Sequence, residues 1–282
     1  MDVKTQSDGS AAMPTENGPE DEEKRETLGS FAWFLFKLLA VVLIFRIAVF
    51  APFSIPSESM LPRLMNGDYL LAAKWPYGFS NYSLPFNAPL IPGRILAGQP
   101  ERGDTVIFKH PIDETDYIKR VIGLPGDTVA VENGQVILNG EPVLREAMAD
   151  FEIPLSVNTS CAWGGEEVTN AEGVAVCRYK RFREMLPGGR SYEVLDFGFT
   201  PSDTYPATII PEGHMFVMGD NRDNSRDSRF EARAGDAVGI VPQDNLVGRA
   251  AFIIWSTDGS AEWVKPWTWF TAARWSRIGG GL

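Results

Sequence analysis

The apolar positions of this chain fall into two regimes, one long continuous run and many short ones. Residues 1–29 carry almost no apolar periodicity, and Phe31 to Ala51 then reads FAWFLFKLLAVVLIFRIAVFA. A run of roughly 20 apolar residues is what a helix needs to cross a bilayer. Lys37 and Arg46 interrupt it off-centre, where a side chain can reach toward the nearer interface. A helix buried in a soluble core is the rival reading. A cleaved leader fits less well, because the preceding tail is long and acidic and no small-x-small site follows the run. Residues 30–51 are therefore read as one transmembrane helix. Pro52 and Pro56 stop it and lead into extended chain.

Beyond Pro56 the pattern is that of short strands between Pro- and Gly-rich loops. Asp68–Ala73 and Asp104–Phe108 are two such runs, and Met215–Met218 and Val247–Trp255 are two more. Thr128–Val131 and Gln135–Leu138 flank Asn133-Gly134, a pair suited to the positive φ angles of a type I′ hairpin turn. From 141 to 208 the pattern is irregular. The expected fold is mainly β. An antiparallel domain is built from 52–127 and 211–282, with an inserted, smaller β unit at 128–210.

Composition narrows the functional classes. The formal net charge is −11, against the clustered Lys and Arg that a nucleic-acid partner requires. Part of it is local, since residues 1–29 hold eight acidic and three basic side chains. That tail buries too little apolar surface to order itself and reads as disordered. The two cysteines, Cys161 and Cys177, match no metal spacing; they either form one disulfide or remain two inert thiols. Flanking cations leave the helix orientation open, with Lys24 and Arg25 on one side and Arg63 and Lys74 on the other. The C-terminal stretch from Trp263 to Arg277 mixes tryptophan, phenylalanine and arginine, which suits either a lipid headgroup layer or packing on the domain.

Candidate chemistry starts from the serines after the apolar run. Ser59 follows a Pro-rich extended entry, but a serine needs a base to become a nucleophile. Only His110 and His214 could serve in a Ser-His-Asp arrangement, and neither lies among other polar site residues. A Ser-x-x-Lys pattern fails because Pro62 holds the lysine position. Lys119 lies in DYIKRVIG, where alternation puts Tyr117, Lys119 and Val121 on one strand face. Desolvation there would lower its pKa toward that of a general base; a solvated surface lysine is the plain alternative. The densest polar run is GDNRDNSRDSR at 219–229. As a calcium loop it fails at Arg222 and at Ser225, where an acceptor and a glycine are needed.

Four blocks, in order, carry a resemblance. They are Pro56-Ser57-x-Ser59-Met60-x-Pro62, Arg102-Gly103-Asp104-x-Val106-x-Phe108, Tyr117-Ile118-Lys119-Arg120-x-x-Gly123-x-Pro125-Gly126-Asp127 and Gly219–Ser225-x-Asp227-Ser228-Arg229. Together they resemble the signature blocks of bacterial type I signal peptidases, over about 52–127 and 211–256. The resemblance implies a membrane-bound serine endopeptidase with Ser59 as nucleophile and Lys119 as general base, cleaving exported preproteins after small-x-small sites. It implies oxyanion donors from the Ser59 N–H and Ser57 hydroxyl, Ser225 orienting Lys119, and Asp227 with Arg229 as a supporting pair. Phe53, Ile55, Leu64 and Ile118 are expected around pockets for alanine-like side chains. It also implies a cytoplasmic acidic tail, a periplasmic catalytic domain on the inner membrane, a monomer, and no metal or organic cofactor. Two departures stand out: one spanning helix where well-known members have two, and Glu58 where glycine is common. Glu58 is expected to point to solvent. A self-cleaving Ser/Lys peptidase of soluble repressors and an inactive anchored scaffold are the rival classes.

Overall fold

The computed structural model describes residues 28–84, 87–162, 164–262 and 264–282. Most of the acidic tail, with Trp163 and Trp263, lies outside the described residues. The N-terminal helix runs from Leu28 to Ala48. Its stretch Gly29–Ala48 is long and apolar enough to cross a membrane. Phe31, Phe36, Leu39 and Ile44 are among its exposed apolar side chains. The helix ends three residues earlier than the apolar run suggests. Phe50, Ala51 and Pro52 are already strand, paired with Ala73, Ala72 and Leu71. The ladder takes up apolar residues that the hydrophobic count assigns to the span.

Among the described residues, 43–282 form one compact unit and 28–42 another. The larger unit is built on a seven-stranded sheet. Its order is Phe50–Ser54, Asp68–Ala73, Leu246–Ser256, Thr105–Lys109, Asp116–Gly123, His214–Met218 and Val241–Pro242. Every neighbouring pair is antiparallel. Residues from both ends of the unit thus meet in its middle, with Leu246–Ser256 between Asp68–Ala73 and Thr105–Lys109. Valine, isoleucine and phenylalanine dominate these strands because branched and aromatic side chains pack well on a pleated surface. Val106, Phe108, Val121, Met215 and Val217 form one buried cluster, and Ile55, Met60, Leu64, Leu70 and Ile107 form another.

Among the described residues, 128–209 add three smaller sheets. The Thr128–Glu132 and Gln135–Leu138 hairpin turns at Asn133 and Gly134, with φ of 51° and 78° as a type I′ turn demands. Val129, Val131 and Val136 share a core with Ile122 and Phe216 of the main sheet. Cys161 and Cys177 are joined in a disulfide, their Cα atoms 5.4 Å apart. At the C-terminal end, Trp275 packs edge-on against Trp255 at 5.7 Å, while Trp267 and Phe270 remain exposed.

Candidate active site

The serine loop is fixed before any chemistry is considered. Ile55 N–H donates to Asp68 O at 2.8 Å and Gly67 N–H to Ile55 O at 3.0 Å, so the end of the first strand is clamped to the second. The chain then turns: Leu61 N–H donates to Glu58 O and Leu64 N–H to Met60 O. Met60, Leu61 and Leu64 are fully buried and act as three apolar pegs. Ser59 stands on this turn, 8% exposed.

Lys119 reaches Ser59 from the strand Asp116–Gly123. Its Nζ lies 2.6 Å from Ser59 Oγ, and the lysine is 4% exposed. Burial withdraws the ammonium from water and lowers its pKa from 10.5 to about 8. The charges of Asp227 and Asp220 oppose that fall and Arg229 adds to it. Desolvation wins. A buried lysine with a pKa near 8 holds a useful fraction of free amine at neutral pH, within hydrogen-bonding reach of one hydroxyl.

The polar run 219–229 braces this pair from below. Asn221 N–H donates to Ser59 O at 3.1 Å, and its Nδ2 donates to Glu58 O at 3.1 Å. Gly219 allows the close approach: a Cβ there would stand 2.3 Å from Ser225 Oγ and 2.5 Å from Ser59 O. Asp227, fully buried, accepts from Gly219 N–H at 3.0 Å and from Arg229 Nε at 2.9 Å. Those donors keep its carboxyl below the ordinary range despite a burial that pushes it up. Arg120 pairs with Asp220, and Arg222 with Glu184, both buried.

Ser57 Oγ lies 3.4 Å from Ser59 Oγ. The Ser59 backbone N–H donates to no group among the described residues. Ser225 does not reach Lys119 by a hydrogen bond. Its Oγ is buried without a partner at hydrogen-bonding geometry, though its dipole favours the Asp227 carboxylate. Glu58 corrects the expectation of a solvent-facing side chain. It is half-buried, its pKa is raised by desolvation, and its charge acts on Tyr179. It is not among the groups that shift Lys119.

Ser57, Ser59 and Lys119 line a cleft of about 440 Å³ together with Phe53, Ile55 and Ile118. Leu64 is a correction. It is packed behind Ile55 and Met60 because the turn at 58–64 points it inward. Asn221 and Gly219 were visible only as parts of a polar block, and Tyr117, Arg226 and Asp236 on the cleft wall carried no expectation as cleft-lining groups. His110 and His214 are spent on the backbone carbonyls of Ala237 and Glu212.

Residues 28–255 match the family described as signal peptidase, peptidase S26. Signal peptidase I of Rickettsia prowazekii (strain Madrid E) is 34% identical over 255 residues, covering 87% of this chain and 85% of that protein. Signal peptidase I of Rickettsia typhi (strain ATCC VR-144 / Wilmington) is 36% identical over 237 residues, covering 80% of each. A crystal structure of a signal peptidase I from Enterococcus faecalis V583 is 25% identical, covers 54% of this chain and 96% of that one, and superposes with a TM-score of 0.28.

Proposed function

Starting from the premise that this chain belongs to the peptidase S26 family of signal peptidases and is a serine peptidase, we propose that it hydrolyses signal peptides through a Ser59/Lys119 dyad, after small-x-small sites. The observation that carries the reading is the 2.6 Å approach of Lys119 Nζ to Ser59 Oγ inside a cleft with apolar walls. Among the described residues, no other titratable group lies within hydrogen-bonding distance of that hydroxyl.

In the reaction, Ser59 Oγ attacks the scissile carbonyl carbon and its proton passes to the free amine of Lys119. The carbonyl electron pair moves onto oxygen. On this reading the unspent Ser59 N–H and the Ser57 hydroxyl donate to that oxyanion, the kind of stabilisation that is often the largest catalytic term; the 3.4 Å between the Ser57 and Ser59 hydroxyls supports it. When the tetrahedral species collapses, the C–N bond breaks and the departing amine takes the proton from Lys119. The signal peptide remains as an ester on Ser59. Lys119, neutral again, takes a proton from water as its oxygen attacks the ester, and Ser59 leaves with that proton. Phe53, Ile55 and Ile118 give the cleft an apolar wall beside Ser59, which supports alanine-like residues before the cut. The apolar N-terminal helix supports a single-pass anchor, and the family reading sets the domain on the periplasmic face, where exported precursors emerge.

The test is cleavage of a synthetic precursor peptide bearing an Ala-x-Ala site, in detergent. Wild type is expected to cut after the second alanine, and Lys119→Ala to lose that activity while keeping its fold. Turnover close to wild type in Lys119→Ala would rule out the dyad.

A further inference from the structure

We propose that a second cavity, apart from the reacting groups, binds the phosphate of an anionic phospholipid. This rests on the reading of the N-terminal helix as a membrane span. The cavity measures about 1000 Å³ and shares no lining residue with the cleft.

Its charge is unusual for a chain of net charge −11. Six arginines line it against two side-chain carboxylates, Asp104 and Glu193. Several of these charges are already committed. Arg120 is chelated by Asp220 and Arg277 by Asp68. Arg190 is shared between Asp104 and Glu101, and Glu193 pairs with Arg181 at 3.2 Å. Three cations remain. Arg183 is exposed and has no hydrogen bond or ion pair among the described residues, although it stands in register between Glu146 and Glu193. Arg249 has only Asp104, at 3.8 Å. Arg63 donates to a neutral carbonyl, that of Gly281. Guanidinium forks of this kind match phosphate oxygens in pairs.

The rest of the wall selects a lipid over free phosphate. Phe50 meets Trp75 edge-on at 5.0 Å and Phe252 at 5.5 Å, and all three rings line the cavity. Phe50 lies two residues beyond the last residue of the helix, and its ring is 6.1 Å from that of Phe45 in the final helical turn. The aromatic wall is thus continuous with the end of the apolar helix inside one compact unit. Aromatic rings beside arginines, at the point where a span ends, form the surface that a headgroup and its first acyl carbons would meet. A free phosphate would have no use for the rings.

The experiment uses the full chain reconstituted in phosphatidylcholine vesicles, with and without phosphatidylglycerol. Flotation with phosphatidylcholine alone reports the anchor. Lipid retained after extraction into neutral detergent is then identified by mass spectrometry, and phosphatidylglycerol is titrated in the same detergent. Phosphatidylglycerol is expected to be enriched over phosphatidylcholine. The double variant R183Q/R249Q should weaken its binding on the order of thirtyfold, since one arginine at an anionic headgroup contributes about fivefold. Arg183 is exposed and Arg249 partly so, and an unchanged unfolding temperature verifies the fold. The charge-matched variant R178Q/K180Q, outside the cavity, should bind as wild type does. Flotation without enrichment, or an equal loss in R178Q/K180Q, would overturn the cavity while leaving the anchor intact. Displacement by inorganic phosphate at concentrations equal to the lipid would reassign it to free phosphate. A chain that fails to float even in neutral vesicles would remove the anchor premise itself.

Discussion

Replacing Lys119 by methionine should abolish cleavage and make the folded domain more stable. The lysine sits in the interior, where its pKa falls from 10.5 to about 8. Linkage converts that shift into a folding cost of about 3 kcal/mol when the amine is protonated in both states. Methionine fills a similar volume without a charge, so it removes the cost. It also forfeits the hydrogen bond to Ser59, worth about 1 kcal/mol. The net gain is then about 2 kcal/mol, which for a domain of this size raises Tm by about 4–8 °C. The pH dependence is the sharper reading. The folded pKa is depressed, so the unfolded chain binds the extra proton between about pH 8 and 10.5, and wild-type stability climbs through that window. The advantage of Lys119→Met should hold steady below about pH 8, shrink above it, cross zero before pH 10.5, and give way to a deficit of about 1 kcal/mol, that of the forfeited hydrogen bond. Thermal unfolding in detergent at a series of pH values measures it. A variant that is no more stable than wild type at pH 7 would refute a desolvated lysine, even if its activity were gone.

Four further outcomes follow from the same geometry. With Lys119 as base, kcat/KM should rise tenfold per pH unit up to about pH 8 and then level off, and a maximum near pH 5 would exclude a lysine base. Gly219→Ala drives a Cβ into the Ser59 carbonyl and Ser225, and a displacement of the nucleophile by an ångström should cost about 100-fold in kcat with KM little changed; single-turnover kinetics would check this. Glu184→Ala strands the buried Arg222 and should cost about 3–5 kcal/mol, whereas leucine at both positions should recover most of it; equal losses in denaturant unfolding would contradict that account. Cys161→Ser opens a loop closed over 16 residues and should lower stability by about 3 kcal/mol under oxidising conditions, with no difference from wild type in reductant.

What was legible in the sequence is what depends on near neighbours. The strand Asp68–Ala73 and the hairpin at Asn133-Gly134 follow from alternation and turn chemistry, and the structure has both where the pattern put them. The blocks around Ser59 and Lys119 were readable as blocks. What failed depended on partners far along the chain. The helix stops at Ala48 because Phe50 pairs with Ala73, a contact that hydropathy cannot register. Leu64 turns into the core because the loop is pegged by residues that meet the sheet only in three dimensions. Glu58 is half-buried where its charge acts on Tyr179, more than a hundred residues away, so its exposure could not be read locally. The partner of Arg222 is Glu184, in the irregular stretch where the strand signal was weakest.

That stretch explains why so much charge is buried beside Lys119. Buried ion pairs contribute little net stability, because desolvation offsets most of their attraction. Three of them nonetheless converge on 219–229: Arg120 with Asp220, Arg222 with Glu184 and Arg229 with Asp227. Each joins this segment to a different partner, the lysine strand, the inserted sheets and the segment's own end. The segment in turn holds Ser59 through Asn221. Apolar packing could fix the same backbone, but it would supply no charges. Here Asp227 and Asp220 raise the Lys119 pKa against its burial and Arg229 lowers it. The braces that position the serine therefore also set how basic the lysine is. Removing the Arg120–Asp220 or the Arg229–Asp227 pair should move both properties together, and the inserted β sheets belong to the site because Glu184 braces the same segment through Arg222.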